Sequence, residues 1–278
     1  VSSAAAEASS LTAVGRIRRL GFLAIGAVVV IYALWYAVRA FVSIETNLLW
    51  FRSVAHESVY TRTLWTEILL FALFSTLMAA LLTYTLLVFY RYKPRFRPDP
   101  LRQRWRYYYS RLERHVRYWL LVVIVLYYSV GMGARASSGW KTWLAWRNST
   151  TVGQKDAQFH RDLSYFLFVY PLHRMVLTFL FRIVATAIIA LLVTAWVYGA
   201  LRFRGPGPRM TPALRSQLSI LLGAYFVLKA FGYWLDRYAL ATSNRGVVTG
   251  PSYTDVHAAI PGKFVLVIIA AICAAILV

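Results

Sequence analysis

Scarcity is the first thing to read in this sequence. Acidic residues number ten against 31 lysines and arginines, charged residues of both signs make up only 15% of the chain, and there is one cysteine. Soluble domains carry about a quarter of their residues as charges, so the deficit excludes an ordinary water-soluble globule. The lone Cys273 lies in an apolar run. It rules out an internal disulfide and any metal site built from thiolates. Enzyme signatures are missing too. His56-Glu57 is followed by Tyr60 where a helical zinc motif needs its second histidine, and no G-x-S-x-G, Walker or dinucleotide fingerprint occurs. His56, His160, His173 and His257 are scattered without ligand spacing. Neither a metal nor a cofactor is expected, and the reading is non-enzymatic.

What the chain does have is apolar length. Hydrophobic residues make up 59% of its 278 positions and the mean hydropathy is +0.55. A helix crossing a bilayer takes about 20 predominantly apolar residues, and runs of that kind recur at 20–42, 64–90, 118–134, 175–201 and 214–235, with a sixth at 264–278. The first follows Arg16, Arg18 and Arg19 and has no small-residue cleavage site, so it reads as a signal anchor behind a cytoplasmic tail, 1–19. The sixth is short of a span and stops within an apolar run, as a piece of a longer protein would. The expected fold is all-α, a polytopic transmembrane helical bundle of about six spans.

Basic residues sort these segments by side. With the N-terminus inside, the cytoplasmic segments hold seventeen basic residues against three acids, and the outer loops eleven against six. The loop 91–117 alone carries ten, interleaved with Trp105 and Tyr107 to Tyr109. Such a stretch resembles a nucleic-acid-binding strand or helix, but the positive-inside bias already predicts it and no nucleic-acid fold surrounds it. Contact with anionic lipids is expected there, and no nucleic acid. Gly205-Pro-Gly-Pro208 breaks the chain after the fourth span, and Thr211-Pro212 offers an N-cap with proline at the first helical position. Trp140, Trp143 and Trp146 recur every third residue, as on one face of a short helix lying in the outer interface or packed on the bundle.

Four charges fall inside the spans: Arg39, Glu67, Arg182 and Lys229. Each costs several kcal/mol unless it is paired or reaches the headgroups. Arg182 is seven residues in from Met175 and Lys229 seven back from Asp236, which places both roughly 10 Å below the outer boundary. Glu67, the only acid within a span, is the natural counter-ion for one of them. Two readings stay open: an outward-facing anion site or ion-pair gate, and long stems that snorkel while fixing helix packing.

Several strings have a family character. They are NLLWFRSV from Asn47, ESVY from Glu57, KDAQFHRDLSYFLFVYPLHR from Lys155, SQLSILLGAYFVLKAFGYWLDRY from Ser216, and SNRGVVTGPSYTDVHAAIPGK from Ser243. Together they resemble uncharacterised protein family 0182, multi-pass membrane proteins chiefly of actinobacteria. The resemblance runs from Asn47 to the last residue. It implies a plasma-membrane protein of about seven spans whose seventh leads into a large extracytoplasmic domain after residue 278. It brings no established activity and therefore no catalytic residue. Lys229, Asp236, Arg237, Arg245, Gly246, Tyr253 and Asp255 match the family pattern, while His56, His160, Pro251 and His257 depart from it. The expected role is an envelope anchor or assembly platform, as a homo-oligomer or in a complex with envelope proteins. The alternatives are a transporter or lipid conduit using Glu67, Arg182 and Lys229, and a transferase on lipid-linked substrates with Glu45 or Glu57 as base.

Overall fold

A computed structural model describes residues 2–92, 114–201, 210–243 and 250–278. Helices α1 (Ser2–Ser53), α2 (Glu57–Tyr92), α3 (Arg114–Ser137), α4 (Trp140–Arg147), α5 (Tyr170–Val197), α6 (Pro212–Tyr238) and α7 (Ile260–Leu277) follow one another, with no β-strand among the described residues. Among the described residues six segments are long and apolar enough to cross a bilayer: Gly26–Ser53, Glu57–Tyr92, Tyr118–Ser137, Tyr165–Val197, Pro212–Thr242 and Asp255–Leu277. The chain is an all-α bundle of a multi-pass membrane protein. The basic loop 91–117 and the Gly-Pro-Gly-Pro break lie almost wholly outside the described residues.

The described residues form two compact units, 1–64 and 65–278. In the first, α1 runs on through Ile44 to Ser53 rather than stopping at Val42, since nothing in that stretch breaks a helix. Ala55 ends it with a positive φ of 60°. Glu57 then accepts two bonds from Arg52, from Nε at 3.1 Å and from Nη2 at 3.0 Å, and Phe51 stacks on Tyr60 with centroids 5.3 Å apart. Among the described side chains of α1 most apolar ones are exposed, Val28, Ile31, Trp35 and Phe41 among them, while Leu48 and Phe51 are half-buried.

The second unit is built on two matching rows. α2 buries Thr66, Leu70, Phe74, Met78, Leu82 and Leu86, each four residues after the last. α5 buries Phe179, Ile183, Ala187, Leu191 and Ala195 with the same step. Rows of this kind interdigitate as ridges into grooves, and Phe74 meets Phe179 with ring centroids 4.8 Å apart. Because lipid tails are as apolar as leucine, such rows hold by close fit and dispersion rather than by escape from water. α3 reaches α2 through small residues. Ser75 donates to the Ser129 carbonyl at 2.9 Å, and a Cβ at Gly133 would stand 2.8 Å from the Phe71 carbonyl oxygen.

α6 packs on both α5 and α7. It starts where its sequence says it should: Thr211 is extended, its hydroxyl accepts from the Leu214 N–H at 3.4 Å, and Pro212 follows. At that end of the bundle Gln217 donates to the Thr85 carbonyl at 2.7 Å, and the hydroxyls of Tyr90 and Tyr198 bond to each other. At the opposite end α5 and α7 share a device. Each is entered through a π-turn, Tyr165–Val169 and Asp255–Ala259, followed by Pro171 and Pro261. A proline has no N–H for the carbonyl four residues back and its ring crowds that carbonyl; the wider turn supplies the room. α7 therefore begins before the apolar run at Phe264, and Ser252 with Asp255 nucleates it.

Candidate functional site

Asp236 is the centre of the polar end. It stands near the end of α6, and its carboxylate faces the starts of α5 and α7. Arg174 Nη1 lies 2.7 Å from Oδ1, and Lys263 Nζ donates to Oδ2 at 3.3 Å. One carboxylate thereby ties three helices, a junction that side chains 62 and 27 residues distant in sequence cannot announce by spacing. Next to it Arg237 lies over Trp234, 3.7 Å from the ring centroid, and near Phe264 at 5.7 Å. Arg161 lies over Tyr165 and Tyr238, at 4.7 and 5.1 Å. Tyr165 and Tyr238 belong to a second packed cluster with Phe159, Phe166, Leu177 and Leu235.

An open groove of about 730 Å³ flanks this junction, formed by the end of α3, the start of α4 and one face of α5. Arg135, Arg174 and Arg182 line it, and among the described residues no carboxylate does. Arg174, Thr178 and Arg182 form a row at four-residue steps, so the two arginines are about 12 Å apart along the helix. Pro171, Met175 and Phe179 give the groove an apolar side. The hydroxyls of Ser138 and Thr178 donate to the carbonyls of Arg135 and Arg174. With Arg174 paired to Asp236, the guanidinium groups of Arg135 and Arg182 are its main free donors among the described residues.

The loop before α5 is held by two aspartates. Asp156 accepts from the N–H groups of Gln158 and Phe159, and Asp162 from those of Val152, Gly153 and Ser164. The Ser164 hydroxyl and N–H, then the Val152 and Gly153 N–H groups, favour the charged carboxylate and lower its pKa to about 2. α4 packs on the same region: Trp140 and Trp143 are partly buried against the main core, and Trp146 remains exposed.

The residues singled out in the sequence take separate places. Arg182 lines the groove and lies 5.5 Å from the Phe179 ring centroid. Lys229 is half-buried between Phe181 and Tyr233, 5.7 and 5.6 Å from their centroids. Glu67 is half-buried on α2, and among the described residues no ion pair joins it to Arg182 or Lys229. Arg39 is exposed on α1, over Trp35 at 5.3 Å. Asp255 is buried and exchanges bonds with Ser252: its carboxylate accepts from the Ser252 N–H and hydroxyl, and its own N–H donates to that hydroxyl. This is a helix-starting box. Tyr253 is exposed and stacks on His257, centroids 4.0 Å apart. Arg245 lies outside the described residues. Of the outer-loop carboxylates named as a possible base, Glu57 is held by Arg52. No group of three His, Cys, Asp or Glu side chains fit to hold a metal occurs among the described residues.

Sequence reasoning missed Arg135, Arg174 and Lys263. The Arg174–Thr178–Arg182 row was legible as a basic face of one helix. Arg135 and Lys263 join through tertiary contacts alone.

The chain is similar over most of its length to proteins of actinobacteria. It is 40% identical to a protein of Frankia alni over 229 residues, 82% of this chain and 22% of that protein. It is 39% identical to one of Streptomyces coelicolor over 88% of this chain and 25% of that protein, and 34% identical to one of Rhodococcus erythropolis over 92% and 27%. The chain thus spans about a quarter of the length of these curated relatives. No solved structure matches it. Residues 24–278 match the family model, and the chain belongs to the Uncharacterised protein family (UPF0182).

Proposed function

We propose that this chain is the membrane-embedded platform of a cell-envelope protein, non-enzymatic, resident in the plasma membrane with its N-terminus in the cytoplasm. The observation that carries the reading is the Asp236 junction, where Arg174 and Lys263 bring three helix ends to one carboxylate. A platform for protein outside the bilayer needs helix ends fixed relative to one another, and this junction, with the aspartate-braced loop beside it, favours that. Assembly with further copies or with envelope proteins is part of the same reading. Anionic lipids hold the basic segment 91–117 on the cytoplasmic side.

Two measurements test the proposal. Native mass spectrometry of the protein, gently extracted from its own membrane, is expected to give an oligomer or a complex with envelope proteins. A lone monomer that moves or modifies a small molecule would refute the platform. For orientation, a membrane-impermeant maleimide applied to intact cells is expected to label S149C and spare S3C, each in a C273A background. The reverse pattern would invert the topology.

The conduit reading keeps Glu67, Arg182 and Lys229 as its candidate charges: Arg182 lines the groove, Lys229 lies near Phe181 and Tyr233, and among the described residues no ion pair joins Glu67 to either.

A further inference from the structure

The groove beside the junction holds more positive charge than its surroundings neutralise. Of its three arginines, Arg174 is matched by Asp236. Arg135 and Arg182 have no carboxylate partner among the described residues. Arg182 belongs to the span Tyr165–Val197, where an unmatched guanidinium is costly. Snorkelling alone would send these two stems in independent directions, yet they come from different helices and line one groove. Guanidinium groups present planar forks that match the oxygens of a phosphate. Among the described residues the Thr142 and Tyr170 hydroxyls make no hydrogen bond and add two donors. The side formed by Pro171, Met175 and Phe179 suits an apolar tail.

We propose that this groove binds a phosphate-bearing anion through Arg135 and Arg182, with a bilayer lipid headgroup as the source and Arg174 held back by Asp236 to fix the wall. The arrangement selects charge and geometry together: two separate guanidiniums reward an anion with several acceptor oxygens, and the apolar side rewards one carried on a chain. Free phosphate satisfies the first requirement and not the second.

The test uses the chain as the cell makes it, reconstituted in nanodiscs of phosphatidylcholine alone or doped with phosphatidylglycerol, with retained lipid counted by native mass spectrometry. Phosphatidylglycerol is expected to be enriched on the wild type. The enrichment should fall about tenfold in R135Q and in R182Q, a loss of about 1.4 kcal/mol each. It should stay intact in K229Q, whose charge lies outside the groove. R182K, which keeps the charge without the fork, should retain an intermediate share. A second arm adds inorganic phosphate to the phosphatidylcholine discs and reads thermal stability. Stabilisation by phosphate that vanishes in R182Q, without lipid enrichment, assigns the groove to a soluble anion of the same chemistry. Should R182Q fail to assemble, R135Q, which changes an exposed side chain, carries the test. If neither lipid enrichment nor phosphate stabilisation changes in R135Q and R182Q, or if K229Q loses them equally, the proposal is overturned.

Discussion

Replacing Asp236 by asparagine keeps the shape of the junction and removes its charge. The magnitude follows from how buried the partners are. Exposed ion pairs contribute about 0–1 kcal/mol, whereas breaking a buried pair costs about 3–5 kcal/mol. Asp236 is 25% exposed, Lys263 28% and Arg174 44%, which puts the junction between these limits. With two cations left facing each other across a neutral amide, D236N is expected to lose about 2 kcal/mol, roughly a thirty-fold shift in the unfolding equilibrium. K263Q should cost less, about 1 kcal/mol, because Arg174 lies nearer the carboxylate and still answers it. The assay is reversible unfolding in mixed micelles with increasing denaturing detergent, on D236N, K263Q and the double variant. The cycle should show a coupling of about 1 kcal/mol between the two positions. A D236N protein as stable as the wild type, or a coupling indistinguishable from zero, would refute the view that this carboxylate holds the helix ends.

The α2–α3 crossing gives a steric prediction: a leucine at Gly133 meets the Phe71 carbonyl, a backbone atom that cannot yield, so G133L should cost about 3 kcal/mol, while G232A, whose Cβ would rest 3.7 Å from Leu177 and Phe181, should be tolerated. Unfolding of both variants in the same micelles tests the contrast. The braced loop should be acid-sensitive. Asp162 has a folded pKa of about 2, below its ordinary 3.8, so the stability it contributes is full above about pH 4 and lost as the pH falls through 2. Hydrogen exchange of 150–164 is expected to rise across that interval in the wild type and to be high already at neutral pH in D162N. A protection profile that ignores both would show that the loop is held by other contacts.

The spans were legible because a bilayer imposes a length, and an apolar run of about 20 residues is hard to mistake. The start of α6 was legible for a local reason, since Thr211 and Pro212 each act on their own backbone. Boundaries at the polar end were less so. The π-turn ahead of Pro171 extends the fourth span back to Tyr165, and the box of Ser252 and Asp255 starts the sixth before its apolar run, because polar side chains can nucleate a helix that hydropathy does not see. The groove was half legible. Arg182 stood out as a charge in a span, but its company did not: Arg135 comes from a different helix and only packing brings it round. Glu67 stood out as counter-ion because it is the only acid within a span, but sequence does not say which way a helix turns a side chain, and among the described residues no ion pair joins it to Arg182 or Lys229.

The paired π-turns carry one more consequence. Arg174 follows Pro171 by three residues and Lys263 follows Pro261 by two, so each cation that meets Asp236 sits just past a widened, proline-relieved joint. Joints of that kind are where a long helix yields first. A pull on the segment leading into either helix would pivot there and swing the adjacent cation against the shared carboxylate. The other cation, held by the same oxygens' charge, would register the movement. The two entry segments are thereby joined, a few residues past their widened turns, through a single carboxylate.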